Sequence, residues 1–228
     1  MSDFFSIQAR SRGTEPESGI GHRGLWQKLD PAVAERIEFL GTFLRKPART
    51  GSFAPSSPWL ARAMLYGCNL SDARTVVELG PGTGAFTRLI LDRIGKRTLF
   101  IALELDARQV RRLRERFPGL NVYHDSAEAI QRYLAQHRRR KTDYIVSGLP
   151  WANMRVNVRE RILEAVLASL APDGLFSTFT YVHACWLPSA RRFRRRLEER
   201  FADVKTSRII WKNTPPAFVY RCRLRKQP

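Results

Sequence analysis

The chain has 228 residues, 43% of them hydrophobic, with 40 basic against 21 acidic side chains and a formal net charge of +19. That length supports one sizeable core, and the charge calls for a polyanionic neighbour, either nucleic acid or an anionic membrane surface. Three scattered cysteines (Cys68, Cys185, Cys222) and four separated histidines exclude a disulfide framework and a readable zinc site, and no apolar run approaches the ~20 residues of a membrane span. The first residues lack a basic start and a long apolar stretch, so no secretory signal is expected and a cytoplasmic location is.

Residues 1–30 are rich in Gly, Ser, Glu and Arg without periodicity and are expected to form a flexible tail. From Pro31 the pattern is helical, with Asp30 as N-cap and Pro31 at the first position. Val33, Ile37, Leu40 and Leu44 form one stripe, Phe39 and Phe43 widen it, and Arg36, Arg45, Lys46 and Arg49 flank it. Such a helix either lies in a membrane interface or packs on a sheet, and periodicity does not separate the two. A turn and short helix at 54–65 complete an N-terminal helical region, 31–66, ahead of an α/β domain, 67–228.

Beyond that point strands alternate with helices. Strands are expected at 75–79, 99–104, 121–124, 143–147 and 175–181, and helices at 84–94, 107–117, 126–138, 156–170 and 188–200. Two final strands, 203–212 and 217–225, are joined by Asn213-Thr-Pro-Pro216. This order predicts a Rossmann-like, doubly wound, seven-stranded sheet, mostly parallel, closed by an antiparallel C-terminal hairpin.

In such a sheet ligands bind beyond the carboxyl ends of the strands. The first strand runs into Val77-Glu-Leu-Gly-Pro-Gly-Thr-Gly84. Its glycines let the backbone turn sharply and approach a ligand. The string also fits a loose dinucleotide fingerprint. Three features favour S-adenosylmethionine instead. The spacing of Gly80, Gly82 and Gly84 is G-x-G-x-G, Glu78 is placed to meet a cationic amino group, and no second substrate domain follows. Glu104, at the end of the second strand, suits the ribose hydroxyls. Asp125, after the third, suits the adenine amine or else caps the next helix.

The fourth strand leads into Ser147-Gly-Leu-Pro-Trp151. In methyltransferases acting on amino nitrogens this strand end carries an N-P-P-Y or N-L-P-Y type motif, whose first side chain and proline-fixed carbonyls hold the amine. Gly148 offers no side-chain acceptor, leaving the carbonyls of Gly148 and Leu149, with Pro150 fixing the turn. Trp151 either forms a cation–π wall for a quaternary ammonium, with Tyr181 as its partner, or packs in the core. His183 is a second candidate for proton acceptance beside Tyr181.

These strings resemble the bacterial phospholipid N-methyltransferases that convert phosphatidylethanolamine to phosphatidylcholine, and the similar ornithine-lipid N-methyltransferases. The resemblance covers roughly residues 35–225. It rests on the basic amphipathic segment before Gly51-Ser-Phe-Ala-Pro-Ser-Ser57, on the glycine string, on Ser147-Gly-Leu-Pro150, and most specifically on Ile210-Trp-Lys-Asn-Thr-Pro-Pro-Ala-Phe-Val-Tyr220. The family tends to carry Y-G-P where this chain has Tyr181-Val-His183, which bears on the head group.

The resemblance implies an S-adenosylmethionine-dependent enzyme that methylates a lipid amine without a metal, peripherally bound to the inner face of the cell membrane. Phe39, Phe43, Arg45 and Lys46 would then meet an anionic membrane, and Lys212 and Arg221 a lipid phosphate. Ribosomal RNA adenine dimethyltransferases share the glycine motif. Gly148 and the lack of a distinct RNA-binding domain weigh against nucleic acid.

Overall fold

The computed structural model describes residues 56–225. The expected tail 1–30 and the first part of the expected helical region 31–66, with Phe39, Phe43, Arg45 and Lys46, lie outside the described residues.

Helix α1 (Pro58–Met64) starts on Ser57, whose hydroxyl accepts the Leu60 amide, and has proline at its first position. Then follow β1 (Thr75–Leu79), α2 (Ala85–Leu91), β2 (Leu99–Glu104), α3 (Ala107–Arg116), β3 (Asn121–His124) and α4 (Ile130–Gln136). The chain continues through β4 (Thr142–Ser147), α5 (Val156–Ser169), β5 (Leu170–Tyr181), α6 (Pro188–Arg200), β6 (Asp203–Thr206) and β7 (Ala217–Arg223). The seven strands lie in the order β3-β2-β1-β4-β5-β7-β6. β1 to β5 pair in parallel, and β7 pairs antiparallel with both β5 and β6.

Every residue of β1 is buried, as a central strand covered on both faces requires. Side chains of alternate strand positions feed two cores. On one face Val77, Leu79, Ile101, Leu103, Ile145 and Phe176 meet α4, α5 and α6. On the other, Val76, Phe100, Ala102 and Val146 meet α1, α2 and α3. Helix α1 therefore shares the core of the sheet through Leu60, Ala61 and Met64.

The largest departures from the expected boundaries are at two strands. β5 begins at Leu170, because Thr142 pairs with Leu170 before a register shift, so Ala-Pro-Asp-Gly174 belongs to the strand. β6 ends at Thr206. Ser207 makes the last hydrogen bonds to Val219, and beyond them only a bridge between Ile210 and Ala217 remains. Pro215 and Pro216 have no N–H to extend that ladder.

Candidate active site

Strand order reverses between β2-β1 and β4, so the crevice beyond Leu79 and Ser147 is where this topology places a ligand. The glycine turn lies there. Gly80, Gly82 and Gly84 have φ of 65°, 53° and 80°, a region that side chains other than glycine rarely occupy. A Cβ on Gly80 would stand 2.7 Å from Leu149, and one on Gly84 2.9 Å from Phe117, so both glycines also serve packing. A Cβ on Gly82 would meet nothing within 4 Å, so that backbone faces open space.

Glu104 holds the turn in place. One carboxylate oxygen accepts the Gly82 amide at 3.0 Å and the other accepts the Asp106 amide at 3.0 Å. Asp106 in turn caps α3 through the Arg108 and Gln109 amides. The Asp125 amide donates to the Glu104 carbonyl at 3.0 Å, which brings Asp125 beside it. Asp125 accepts from the Ser126 amide at 2.7 Å and from the Tyr133 hydroxyl at 2.8 Å, and it pairs with Arg132. The cap of the following turn is Ser126, whose hydroxyl accepts the Glu128 amide. An open glycine backbone with carboxylates at the ends of β2 and β3 fits a nucleoside-bearing cofactor with ribose hydroxyls and an adenine amine.

Glu78 lies elsewhere than expected. It is fully buried beneath the turn, and one oxygen accepts the Thr87 hydroxyl at 2.7 Å while the other has no partner. An enclosed side chain ties β1 to α2 and does not reach a ligand's ammonium group. Burial, aided by the Glu104 charge and opposed by Thr87, pushes its carboxyl up to about 8. A folded-state value above the unfolded one means that the native protein holds this proton longer. Its stabilising contribution is complete below about pH 4.5 and is lost as pH rises through about 8. Glu78→Gln should therefore be more stable than the parent at pH 8, by on the order of a few kcal/mol. The two should converge near pH 4.5, as melting curves across that range will reveal.

The Ser147-Gly-Leu-Pro-Trp151 segment interlocks with the glycine turn. The Gly148 amide donates to the Leu79 carbonyl at 2.8 Å. A Cβ at Gly148 would stand 2.6 Å from the Gly80 carbonyl oxygen, so the missing side chain has a steric cause and is not by itself a sign of a cationic substrate. Gly148→Ala should push the two turns apart and cost about 1–3 kcal/mol. Catalytic efficiency should fall by roughly tenfold or more. Parallel assays of melting and kcat/KM check this; unchanged values for both would show the turns to be loosely coupled. The Leu149 carbonyl already accepts the Trp151 amide at 3.0 Å, whereas no described residue donates to the Gly148 carbonyl.

Trp151 is in the core. It is 2% exposed, stacks on Phe193 at 4.7 Å, meets Phe176 edge-on at 5.9 Å and donates its indole N–H to Ser147 at 3.0 Å. Tyr181 packs with the opposite core, edge-on to Phe179 and stacked on His183 at 5.6 Å. The expected cage of Trp151 and Tyr181 is therefore not formed. Burial raises the Tyr181 phenol and lowers the His183 imidazole, whose Nε2 is buried without a partner.

Arg221 also departs from expectation. Its guanidinium donates to the Ala63 carbonyl at the end of α1 and stacks over Tyr66 at 4.8 Å, so it caps a helix rather than facing a lipid phosphate. Lys212 is exposed, its ammonium 4.4 Å from the Trp59 ring. Asn213, singled out only as part of a string, is a buried tie. It accepts the Ser57 amide at 2.9 Å and donates to Pro215 at 2.6 Å, joining the start of α1 to the entry of β7. An asparagine before Pro-Pro in an apolar string was its sequence signal.

Among the described residues no group of three or more His, Cys, Asp or Glu side chains could hold a metal ion, and no helix is long and apolar enough to cross a membrane.

Residues 76–174 match the family described as Methyltransferase domain. An ornithine lipid N-methyltransferase from Singulisphaera acidiphila is 36% identical over 188 residues, covering 81% of this chain and 94% of that protein. The chain belongs to the ornithine lipid N-methyltransferase family. It is a class I, S-adenosylmethionine-dependent methyltransferase. A ribosomal RNA small subunit methyltransferase A from Acidobacterium capsulatum is 38% identical over 95 residues, but that stretch is 42% of this chain and 31% of the relative. The crystal structure of an O-methyltransferase from Bacillus cereus in complex with SAH shares the fold, with a TM-score of 0.56 at 14% identity over 88% of this chain and 96% of that one.

Proposed function

We propose that this member of the family methylates the amine of a membrane-lipid head group, ornithine lipid first and phosphatidylethanolamine as the other candidate, up to the trimethylated form. The observation that carries this reading is the match to a lipid N-methyltransferase over 94% of that relative. The RNA-methylating relative matches over a much shorter stretch, 42% of this chain and 31% of that relative.

S-adenosylmethionine supplies an electrophilic methyl group on a cationic sulfur. Gly82 would give it a backbone to approach, Glu104 would accept from the ribose hydroxyls and Asp125 from the adenine amine. The carbonyl of Gly148 accepts an N–H of the substrate amine, and Pro150 holds the segment that presents it. Orienting that amine in line with the methyl group accounts for most of the acceleration such a site needs. The amine must lose a proton to attack. A half-buried His183, its imidazole held neutral by desolvation and stacked on Tyr181, is the described side chain best suited to receive it.

We infer that the enzyme works at the inner face of the cell membrane, drawn to anionic lipid by its net charge of +19. The 31–46 segment, with Phe39, Phe43, Arg45 and Lys46, is an interfacial anchor on this reading. Expression in a bacterium that makes both candidate lipids, followed by lipid mass spectrometry, tests the substrate. Methylated ornithine lipid is the expected product. Unchanged lipids in cells that contain folded protein would refute the reading.

A further inference from the structure

Exposed apolar side chains gather at one end of this sheet. Of the eight large hydrophobic residues exposed among the described residues, only Tyr66 lies away from it. Leu105 follows β2 and Val156 opens α5 just beyond the β4 turn. Trp186 and Leu187 follow β5, at 72% and 45% exposure. Ile209 and Trp211 precede β7, whose first residue pairs with Tyr181 at the end of β5. Trp59 joins them because Lys212 sits on its ring. Ile209 and Trp186 line the same depression, of about 360 Å³. This is the end at which the glycine turn opens.

The cations at this rim are built into it. Arg62 lies 5.4 Å from the Trp59 ring on the side chain that Lys212 also covers, and Arg191 lies 5.8 Å from the Trp186 ring. None of the three makes an ion pair with a described residue. Tryptophan beside cations is the composition of a membrane–water interface, where the ring sits at the head-group level and the charge meets phosphate. Stacking on nucleic-acid bases would use the tryptophans but not Leu105, Val156, Leu187 or Ile209.

We propose that this rim docks the enzyme on an anionic lipid bilayer, which places the opening of the active site against the head groups. The inference rests on the lipid reading above and adds a second membrane contact to the 31–46 segment.

The test is sedimentation of the full chain with phosphatidylcholine vesicles, with and without phosphatidylglycerol. Trp186→Ala with Trp211→Ala should lower partitioning onto the phosphatidylglycerol vesicles by roughly tenfold or more, while SAH binding and melting temperature stay unchanged. Arg191→Glu with Lys212→Glu should also lower it and remove much of its salt dependence. Unchanged partitioning of both pairs overturns the proposal. So does a fall in melting temperature for the tryptophan pair together with unchanged partitioning of the charge pair, since the rings would then cover part of this chain. Loss of RNA binding with vesicle binding intact overturns it as well. A parent protein that docks through the rim yet methylates no lipid supports the surface while refuting the substrate.

Discussion

Trp151→Ala should lower the stability of the protein by about 3–5 kcal/mol, the cost of removing a large aromatic side chain from a packed core. The indole is enclosed between Phe193 and Phe176, and its N–H satisfies the Ser147 hydroxyl, which also accepts the Leu149 amide. Truncation leaves a cavity and removes the donor that fixes the segment beside the glycine turn. For a chain of this size the melting temperature should fall by roughly 10 °C. Trp151→Phe should recover part of that loss. Thermal unfolding followed by circular dichroism measures both. A side chain that walled the substrate would behave differently: melting would be unchanged, and products would shift toward the monomethylated lipid.

Glu104→Ala is expected to have the largest effect on cofactor binding. It leaves the Gly82 and Asp106 amides without their acceptor and takes away the acceptor proposed for the ribose. Each unpaired group costs about 1–3 kcal/mol, so affinity for SAH should fall by roughly tenfold at the least and further if the turn relaxes. Calorimetric titration of SAH measures this. Glu104→Gln keeps one oxygen acceptor and should fall between the parent and Ala. Equal affinity for all three proteins would remove Glu104 from the site.

The alternation of strands and helices, the glycine turn and the carboxylates after β2 and β3 were legible because they are local. Each depends on residues within one strand–turn–helix unit, whose periodicity and turn chemistry the sequence displays. Side-chain direction after the strand ends was not legible. Trp151 follows β4 and Tyr181 ends β5, both at the ligand end of the sheet, yet they enter opposite cores, because the turn after Pro150 folds the indole under α6. Gly148 read as a missing functional group when its neighbour is the backbone of Gly80, distant in sequence by a whole crossover. Glu78 read as a ligand contact because spacing does not tell which face of a buried strand a carboxylate occupies. Arg221 and Asn213 are explained by α1 and Ser57, more than 150 residues earlier, and no periodicity announces such pairings.

Methyl transfer to a lipid amine at the site between β1 and β4 has a direct measurement. Purified protein is incubated in one tube with methyl-labelled S-adenosylmethionine, vesicles containing ornithine lipid and phosphatidylethanolamine, and ribosomal RNA. Label should enter the organic phase as methylated ornithine lipid, and Glu104→Ala should lose most of that signal. Label confined to RNA, or no label from a protein that binds SAH, would contradict it.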